Sequence, residues 1–162
     1  MIFTEKIEAK FFSLNDLLKR IEFWRRLGDK VVFTNGCFDI LHQGHIHLLA
    51  ACNEYGARLV VGLNSDASVK RLKGANRPVN DQKSRATLLA STQFTDAVIL
   101  FEEDTPEELI QAIQPDVLIK GGDWKKEDIV GSAFVESYGG EVITIPYLKG
   151  FSTSSIIERS KK

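Results

Sequence analysis

Two histidines, His42 and His45, bracket Gly44 in the stretch Val31-Val32-Phe33-Thr34-Asn35-Gly36-Cys37-Phe38-Asp39-Ile40-Leu41-His42-Gln43-Gly44-His45. Imidazole N–H groups bind anions, and two of them three residues apart at a helix start share one face and reach one anion. The stretch opens as a run of β-formers, breaks at Asn35-Gly36, and passes into a helical pattern through Ile46, Leu48, Leu49 and Cys52. A strand turning sharply into a helix aims free backbone N–H groups and the positive end of the helix dipole at one point, which favours phosphate. Gly44 leaves room for a ligand to approach the backbone. The chemistry implied is phosphate handling by histidine.

Around this corner the chain reads as helices alternating with strands. Ser13 and Asp16 mark a helix start, Leu14, Leu17, Leu18, Ile21, Trp24 and Leu27 recur at helical spacing, and Gly28 is the stop, so residues 1–29 are expected to form an N-terminal helical extension. Further strands are expected at Arg58–Leu63, Asp96–Phe101, Val117–Ile119 and Glu141–Ile145. Between them lie a polar loop from Lys70 to Pro78, a helix capped by Asn80-Asp81 running through Arg85, Leu88 and Leu89, and a weakly helical stretch from Ile129 to Tyr138. Thr105-Pro106-Glu107-Glu108 reads as a capping box with proline at the first helical position, opening a helix over 106–113 that Pro115 ends. Gly150-Phe151-Ser152-Thr153-Ser154-Ser155 opens the last helix.

Five short apolar strands alternating with helices predict an α/β fold, a Rossmann-like, doubly wound, five-stranded parallel sheet with helices on both faces. At 162 residues one domain over 1–162 is expected. Ligands of such sheets bind beyond the carboxyl ends of the strands. The histidines, Asn64-Ser65-Asp66, the Lys120–Trp124 segment and the Ser152–Ser155 turn all fall on that rim.

A hydrophobic content of 43% with 27% charged residues excludes disorder and membrane spanning. The net charge of −1 supplies no basic field for nucleic acid or anionic lipid, so phosphate binding must be local. Glu5, Lys6, Glu8 and Lys10 leave no apolar signal region, and Cys37 and Cys52 are too few for a disulfide framework. A cytoplasmic location is expected.

Other chemistries fit less well. All three histidines lie within six residues, but His45 and His47 are about 200° apart on a helix and no cysteine completes a tetrahedral set, so no protein metal site is expected. Neither a G-x-x-x-x-G-K-[ST] loop nor a G-x-G-x-x-G fingerprint is present, which removes support for kinase and dehydrogenase readings. Cys37 reads as a small buried residue rather than an activated thiolate. Lys70, Arg71, Lys73 and Arg77 sit after the second strand, where they favour phosphate contact over a merely solvated loop, and Lys73 beside Gly74 suits a flap closing over a triphosphate. Gly121-Gly122 suits close approach of a base or ribose, with Asp123 accepting from hydroxyls. Ser152 to Ser155 would add a second helix start to the site.

The pattern Gly36-x-Phe38-Asp39-x-x-His42-x-Gly44-His45 resembles the signature of the HxGH nucleotidyltransferase superfamily. That resemblance implies transfer of a nucleotidyl group from a nucleoside triphosphate onto a phosphate, with release of pyrophosphate. Phe33–Asp39, Val61–Asp66, Arg71–Gly74 with Arg77-Pro78-Val79, Asp104-Thr105-Pro106 and Lys120–Asp123 are most similar to the adenylyltransferase domains of bacterial ADP-heptose synthases. The likeness covers nearly the whole chain. It implies an adenylyltransferase that uses ATP and D-glycero-β-D-manno-heptose 1-phosphate, with Mg²⁺ carried by the ATP phosphates. Many members carry a sugar-kinase domain first; this chain is expected to be the stand-alone transferase, with a separate heptose kinase. The cytidylyl branch has an arginine in R-T-E-G-I-S-T-T, where this chain reads Tyr147-Leu148-Lys149-Gly150-Phe151-Ser152-Thr153-Ser154. The missing arginine disfavours that branch, whose members act on glycerol 3-phosphate or another polyol phosphate, and Ser154 keeps the hydroxyl contact.

By the same resemblance His42, His45 and Lys73 are the expected catalytic residues. Nucleotide contacts are expected from Asn35, Gly36, Phe38, Asp39, Gly44, Lys120, Gly121, Asp123, Ser152, Thr153 and Ser154. Asn64, Asp66, Arg71, Arg77 and Arg85 are the candidates for the acceptor phosphate. A homodimer is expected, with apolar side chains of the leading helix such as Phe23 and Trp24 either joining the copies or covering core. The reading from another class is a nucleotide-binding module without turnover.

Overall fold

The computed structural model describes residues 2–160. Five strands, β1 (Val31–Gly36), β2 (Arg58–Asn64), β3 (Ala97–Phe101), β4 (Val117–Gly121) and β5 (Glu141–Ile145), form one sheet in the order β3-β2-β1-β4-β5. Every neighbouring pair is parallel. The order runs outward in both directions from β1, so the crevice between the carboxyl ends of β1 and β4 is the topological switch point where such sheets bind ligands.

Eight α-helices accompany the sheet among the described residues: α1 (Phe3–Glu8), α2 (Leu14–Arg26), α3 (Gln43–Cys52), α4 (Asp66–Lys73), α5 (Gln82–Ser91), α6 (Glu107–Ile113), α7 (Ser132–Ser137) and α8 (Thr153–Arg159). Side chains alternate between faces along each strand. Val31, Phe33 and Val60 therefore pack with Leu17, Ile21 and Trp24 of α2 and Leu109, Ile110 and Ile113 of α6. Val32, Leu59 and Val61 pack with Leu49 and Cys52 of α3 and Ala86, Leu89 and Ala90 of α5. Burial on both faces is why these strands read as continuous apolar runs. None of the helices is long and apolar enough to cross a membrane.

The N-terminal region departs from a simple extension. Leu17, Ile21 and Trp24 are at most 5% exposed, so α2 is a layer of the core and Trp24 covers core, whereas Phe23 stays exposed. Ahead of it, α1 and a bridge between Phe11 and Val98 were not foreseen. The Phe12 N–H donates to the Val98 carbonyl and the Val98 N–H to the Lys10 carbonyl, which satisfies the edge of β3.

Three boundaries also differ. The first half of the expected Lys70–Pro78 loop is the end of α4, capped by Ser65 and stopped at Gly74 with φ of +99°. Its charges hid a helix whose inner face is anchored by Val69, and Lys70, Arg71 and Lys73 complement the negative end of its dipole. Pro106 is the N-cap of α6 rather than its first helical residue, and no side chain caps that end. The stretch expected over 129–138 holds a left-handed Gly131 and the shorter α7, and a 3-10 turn at Lys126–Asp128 precedes it.

Candidate active site

The corner between β1 and α3 is built by compensating backbone devices. Phe38 turns the chain with a φ of +44°, a conformation non-glycine residues adopt only when the surroundings hold them there. Its ring folds back over Gly36, where an added Cβ would lie 3.1 Å from the ring, and its other neighbour is His45 at 5.1 Å between centroids. Gly36 is therefore required by Phe38.

The two histidines cap their own helix. His42 is the N-cap of α3, and its Nδ1 accepts the Gly44 N–H at 3.1 Å. His45 Nδ1 accepts the His42 N–H at 3.3 Å. This is a capping box written in imidazole, in a position where serine and glutamate are usual. With each Nδ1 accepting, each neutral ring carries its proton on Nε2 and presents it as a donor. The rings stack at 3.8 Å between centroids with an interplanar angle of 21°, so the two donors sit side by side. Burial holds both imidazoles below their ordinary pKa, His45 to about 4 with a further push from His42 against a pull from the Ile40 carbonyl. Both are neutral near pH 7. Desolvation is the leading reason for both.

Gly44 serves the cap itself. A Cβ there would stand 3.0 Å from His42 Cε1 and 3.4 Å from Phe151 Cβ, so glycine makes room for the His42 ring.

Two charged side chains bind the corner to its neighbours. Asp39 is 1% exposed; its Oδ1 accepts from the Val79 and Asn80 N–H groups at 2.8 and 3.0 Å, and its Oδ2 from Arg77 Nε. Arg85 is completely buried and donates to the Cys37 carbonyl at 2.6 Å, the Asn80 carbonyl at 3.1 Å and Asp66 Oδ1 at 2.8 Å. Arg85, expected at the acceptor phosphate, is thus sealed among these acceptors with no face left for a ligand, whereas the partly exposed Asp66 gives it one carboxylate oxygen. Arg71 is turned outward as well, donating to Asp104 Oδ1 at 2.8 Å and to the Glu102 carbonyl. Asp39, expected beside the nucleotide, has both carboxylate oxygens engaged by the chain.

A cavity of about 650 Å³ opens over the switch point. His42, His45, Lys73, Arg77 and Lys120 line it, together with Asn35, Gly36, Phe38, Gly44, Asn64, Gly121 and Ser152 to Ser154. Lys120 Nζ lies 3.5 Å from Asn35 Oδ1, and burial lowers its pKa with a smaller opposing effect from Cys37. Ser152 is the N-cap of α8, its Oγ accepting the Ser155 N–H at 3.1 Å. Burial pushes the Cys37 thiol up, in keeping with an unreactive residue. Asp123, expected at the ribose, is exposed and is not among the residues lining the cavity. Among the described residues no three His, Cys, Asp or Glu side chains converge as a cation cage.

Part of the wall lies outside the expected site residues. Asp104, Thr105 and Pro106 line one side, and Trp124, Tyr147 and Phe151 the other. Thr105 and Pro106 are legible as a helix start and, with Asp104, as a likeness to relatives, but a loop after an edge strand has no periodicity to mark it as cavity wall. Gly122 has a φ of +118° and is flanked by aromatic atoms, an added Cβ lying 2.8 Å from the Tyr147 ring and 3.0 Å from Trp124 Nε1.

A family model described as cytidylyltransferase-like matches residues 33–159. The bifunctional protein HldE of Nitrobacter hamburgensis is 53% identical over 148 residues, 91% of this chain and 30% of the relative. The bifunctional protein HldE of Methylobacillus flagellatus is 51% identical over 150 residues, 93% of this chain and 31% of the relative. The chain thus spans less than a third of the length of these curated relatives. Among solved structures, the lipopolysaccharide core biosynthesis protein of Thermoplasma volcanium superposes with a TM-score of 0.62 at 29% identity, covering 76% of this chain and 100% of that one.

Proposed function

Because the chain belongs to the cytidylyltransferase-like family, we propose that it is a nucleotidyltransferase that moves the adenylyl group of ATP onto D-glycero-β-D-manno-heptose 1-phosphate. The products are ADP-heptose and pyrophosphate. One acceptor phosphate oxygen attacks the α-phosphorus, a new P–O bond forms, the bond to the α–β bridging oxygen breaks, and its electron pair leaves with pyrophosphate. The acceptor is already an anion, so the step needs no general base. It needs alignment and relief of the charge that builds on the transferring phosphorus and the leaving group.

The observation that carries this reading is the imidazole capping box, which leaves both Nε2–H groups beside a helix start. Their part is to donate to α- and β-phosphate oxygens, and removing one such donor costs about 10²–10³ in kcat. Lys73 and Arg77 steady the triphosphate, Lys120 adds a partly buried cation, and Ser152 to Ser154 serve the β/γ end. Mg²⁺ would enter on the nucleotide, held by phosphate oxygens, and would supply charge neutralisation there. The choice of ATP and heptose phosphate rests on the sequence likeness, the HldE relatives and the missing cytidylyl-branch arginine at the Tyr147 segment. A kinase activity that makes the sugar 1-phosphate is what this reading requires upstream.

The test is pyrophosphate release with ATP or CTP, crossed with heptose 1-phosphate or glycerol 3-phosphate, in Mg²⁺. Turnover with ATP and the heptose phosphate alone is the expected result. Turnover with CTP would keep the reaction and overturn the substrates, and silence with ATP still bound would make the chain a non-catalytic nucleotide-binding module.

A further inference from the structure

The reactive centre divides the cavity into two unlike sides. Beyond β4 and β5 the wall is largely aromatic and apolar, with Trp124 and Tyr147 beside Gly121 and Gly122, joined by Ile129, Val130 and the carboxylate of Asp128. Beyond β2 and β3 it presents oxygen: Asn64, Asp104 and Thr105. We infer that this second side holds the sugar ring of the acceptor, and that Asn64, Asp104 and Thr105 are specificity-determining residues that read its hydroxyls. The inference deepens the proposed function and rests on it.

Asn64 is 3% exposed, yet only one end of its amide is engaged. Its Nδ2 donates to Ser68 Oγ at 2.9 Å, and its Oδ1 receives no hydrogen bond from the described residues. Thr34 Oγ1 is the one fully sealed side-chain polar atom left without a partner among those residues, so the free Asn64 oxygen is open to the cavity it lines. A buried amide oxygen facing a cavity favours a hydrogen-bond donor. Phosphate oxygens at neutral pH offer none or one; sugar hydroxyls each offer one.

Asp104 has the same polarity. Arg71 holds its Oδ1 at 2.8 Å and leaves its Oδ2 free. A carboxylate repels phosphate and accepts strongly from hydroxyls, so this side suits the uncharged part of a substrate whose charged part lies at the histidines. The Thr105 hydroxyl can donate or accept beside it. These groups are also held in mutual register. Ser68 Oγ, which takes the Asn64 amide, donates to the Glu103 carbonyl at 3.0 Å, and Arg71 binds both Asp104 and the Glu102 carbonyl. Helix α4 therefore fixes the end of β2 and the loop after β3 as one surface. Fixed polar groups reject an analogue that lacks their partner far better than a hydrophobic pocket does.

The experiment uses three variants in the full chain. Asp104→Asn keeps Oδ1 for Arg71 and turns only the free acceptor into a donor, Thr105→Val removes the hydroxyl at similar volume, and Asn64→Ser withdraws the buried oxygen. Pyrophosphate release gives KM for heptose 1-phosphate, and calorimetry gives Kd for ATP. The expected result for Asp104→Asn is a rise in sugar-phosphate KM of at least about tenfold, with ATP Kd unchanged within about twofold. Smaller changes of the same pattern are expected for the other two. An unchanged sugar KM, or an equal loss of ATP affinity (which would put the nucleotide ribose on this side), overturns the inference while leaving the function standing. Absence of turnover in the unmodified chain with heptose 1-phosphate overturns the function itself, and this assignment with it.

Discussion

His42 and His45 each accept a backbone N–H through Nδ1 while their rings stack at 3.8 Å, so one arrangement both starts α3 and leaves two Nε2 donors on stacked rings that line the cavity. Catalytic geometry and helix capping are here a single structure. Removing the His45 ring should then cost chemistry more than fold, because the first turn keeps the His42 cap. For His45→Ala we expect kcat to fall by about 10²–10³, with an unchanged circular dichroism spectrum. A folded His45→Ala protein of full activity in the pyrophosphate assay would refute the assignment.

The same pair sets an acid limit. Both imidazoles are neutral in the folded chain, His45 titrating near 4, whereas an unfolded histidine titrates near its ordinary 6.5. Between those values the unfolded chain binds more protons, so stability falls as pH drops from about 6.5 towards 4 and levels off below. Protonation of Nδ1 would also abolish the caps and set two like charges face to face. Thermal melts of the native protein and His45→Asn across pH 4–8 should show a shallower acid loss in the variant. Equal slopes would remove His45 from the account.

Gly44→Ala separates stability from activity in another way. Alanine within a helix gains about 1 kcal/mol over glycine, but here its Cβ would press on His42 Cε1 at 3.0 Å. We expect a melting temperature close to that of the native protein and a kcat reduced at least about tenfold, since a displaced ring loses its aim. Native kcat in this variant would show that the ring accommodates the methyl group.

Arg85 carries the largest expected loss of stability. Arg85→Met would leave the Cys37 and Asn80 carbonyls and the partly exposed Asp66 without their shared donor, and each buried acceptor left unsatisfied costs about 1–3 kcal/mol. Urea denaturation should show this, with Arg85→Lys recovering only part because an ammonium lacks the guanidinium fork. A loss below about 1 kcal/mol for Arg85→Met would mean that water replaces the guanidinium.

The sequence made the periodic features plain. Val31-Val32-Phe33 and Leu59-Val60-Val61 are apolar runs of β-formers that read as buried strands, and the histidine corner stands out by composition alone. What it concealed was direction. Arg71, Arg77 and Arg85 look alike in a basic stretch, yet one faces outward, one borders the cavity and one is sealed inside. Their fates are decided by Asp104, Asp39 and Asp66, partners between 19 and 38 positions away, and no local pattern encodes such a pairing. Gly44 shows the same limit: it lines the cavity and also makes room for the His42 ring, and both needs leave the same letter in a sequence.

The buried Arg85 has a consequence for how this domain can vary. Its three acceptors belong to the loop after β1, the first turn of α4 and the loop before α5, and Asp39 joins the first of these to the last again. These segments share a single buried charge, so none can lengthen or change sign without stranding the others. They form a cassette, inherited or lost together. The loop from Pro146 to Phe151 has no such tie among the described hydrogen bonds and borders the same cavity, leaving it free to drift. Relatives that adopt a different nucleotide can be expected to have changed there first.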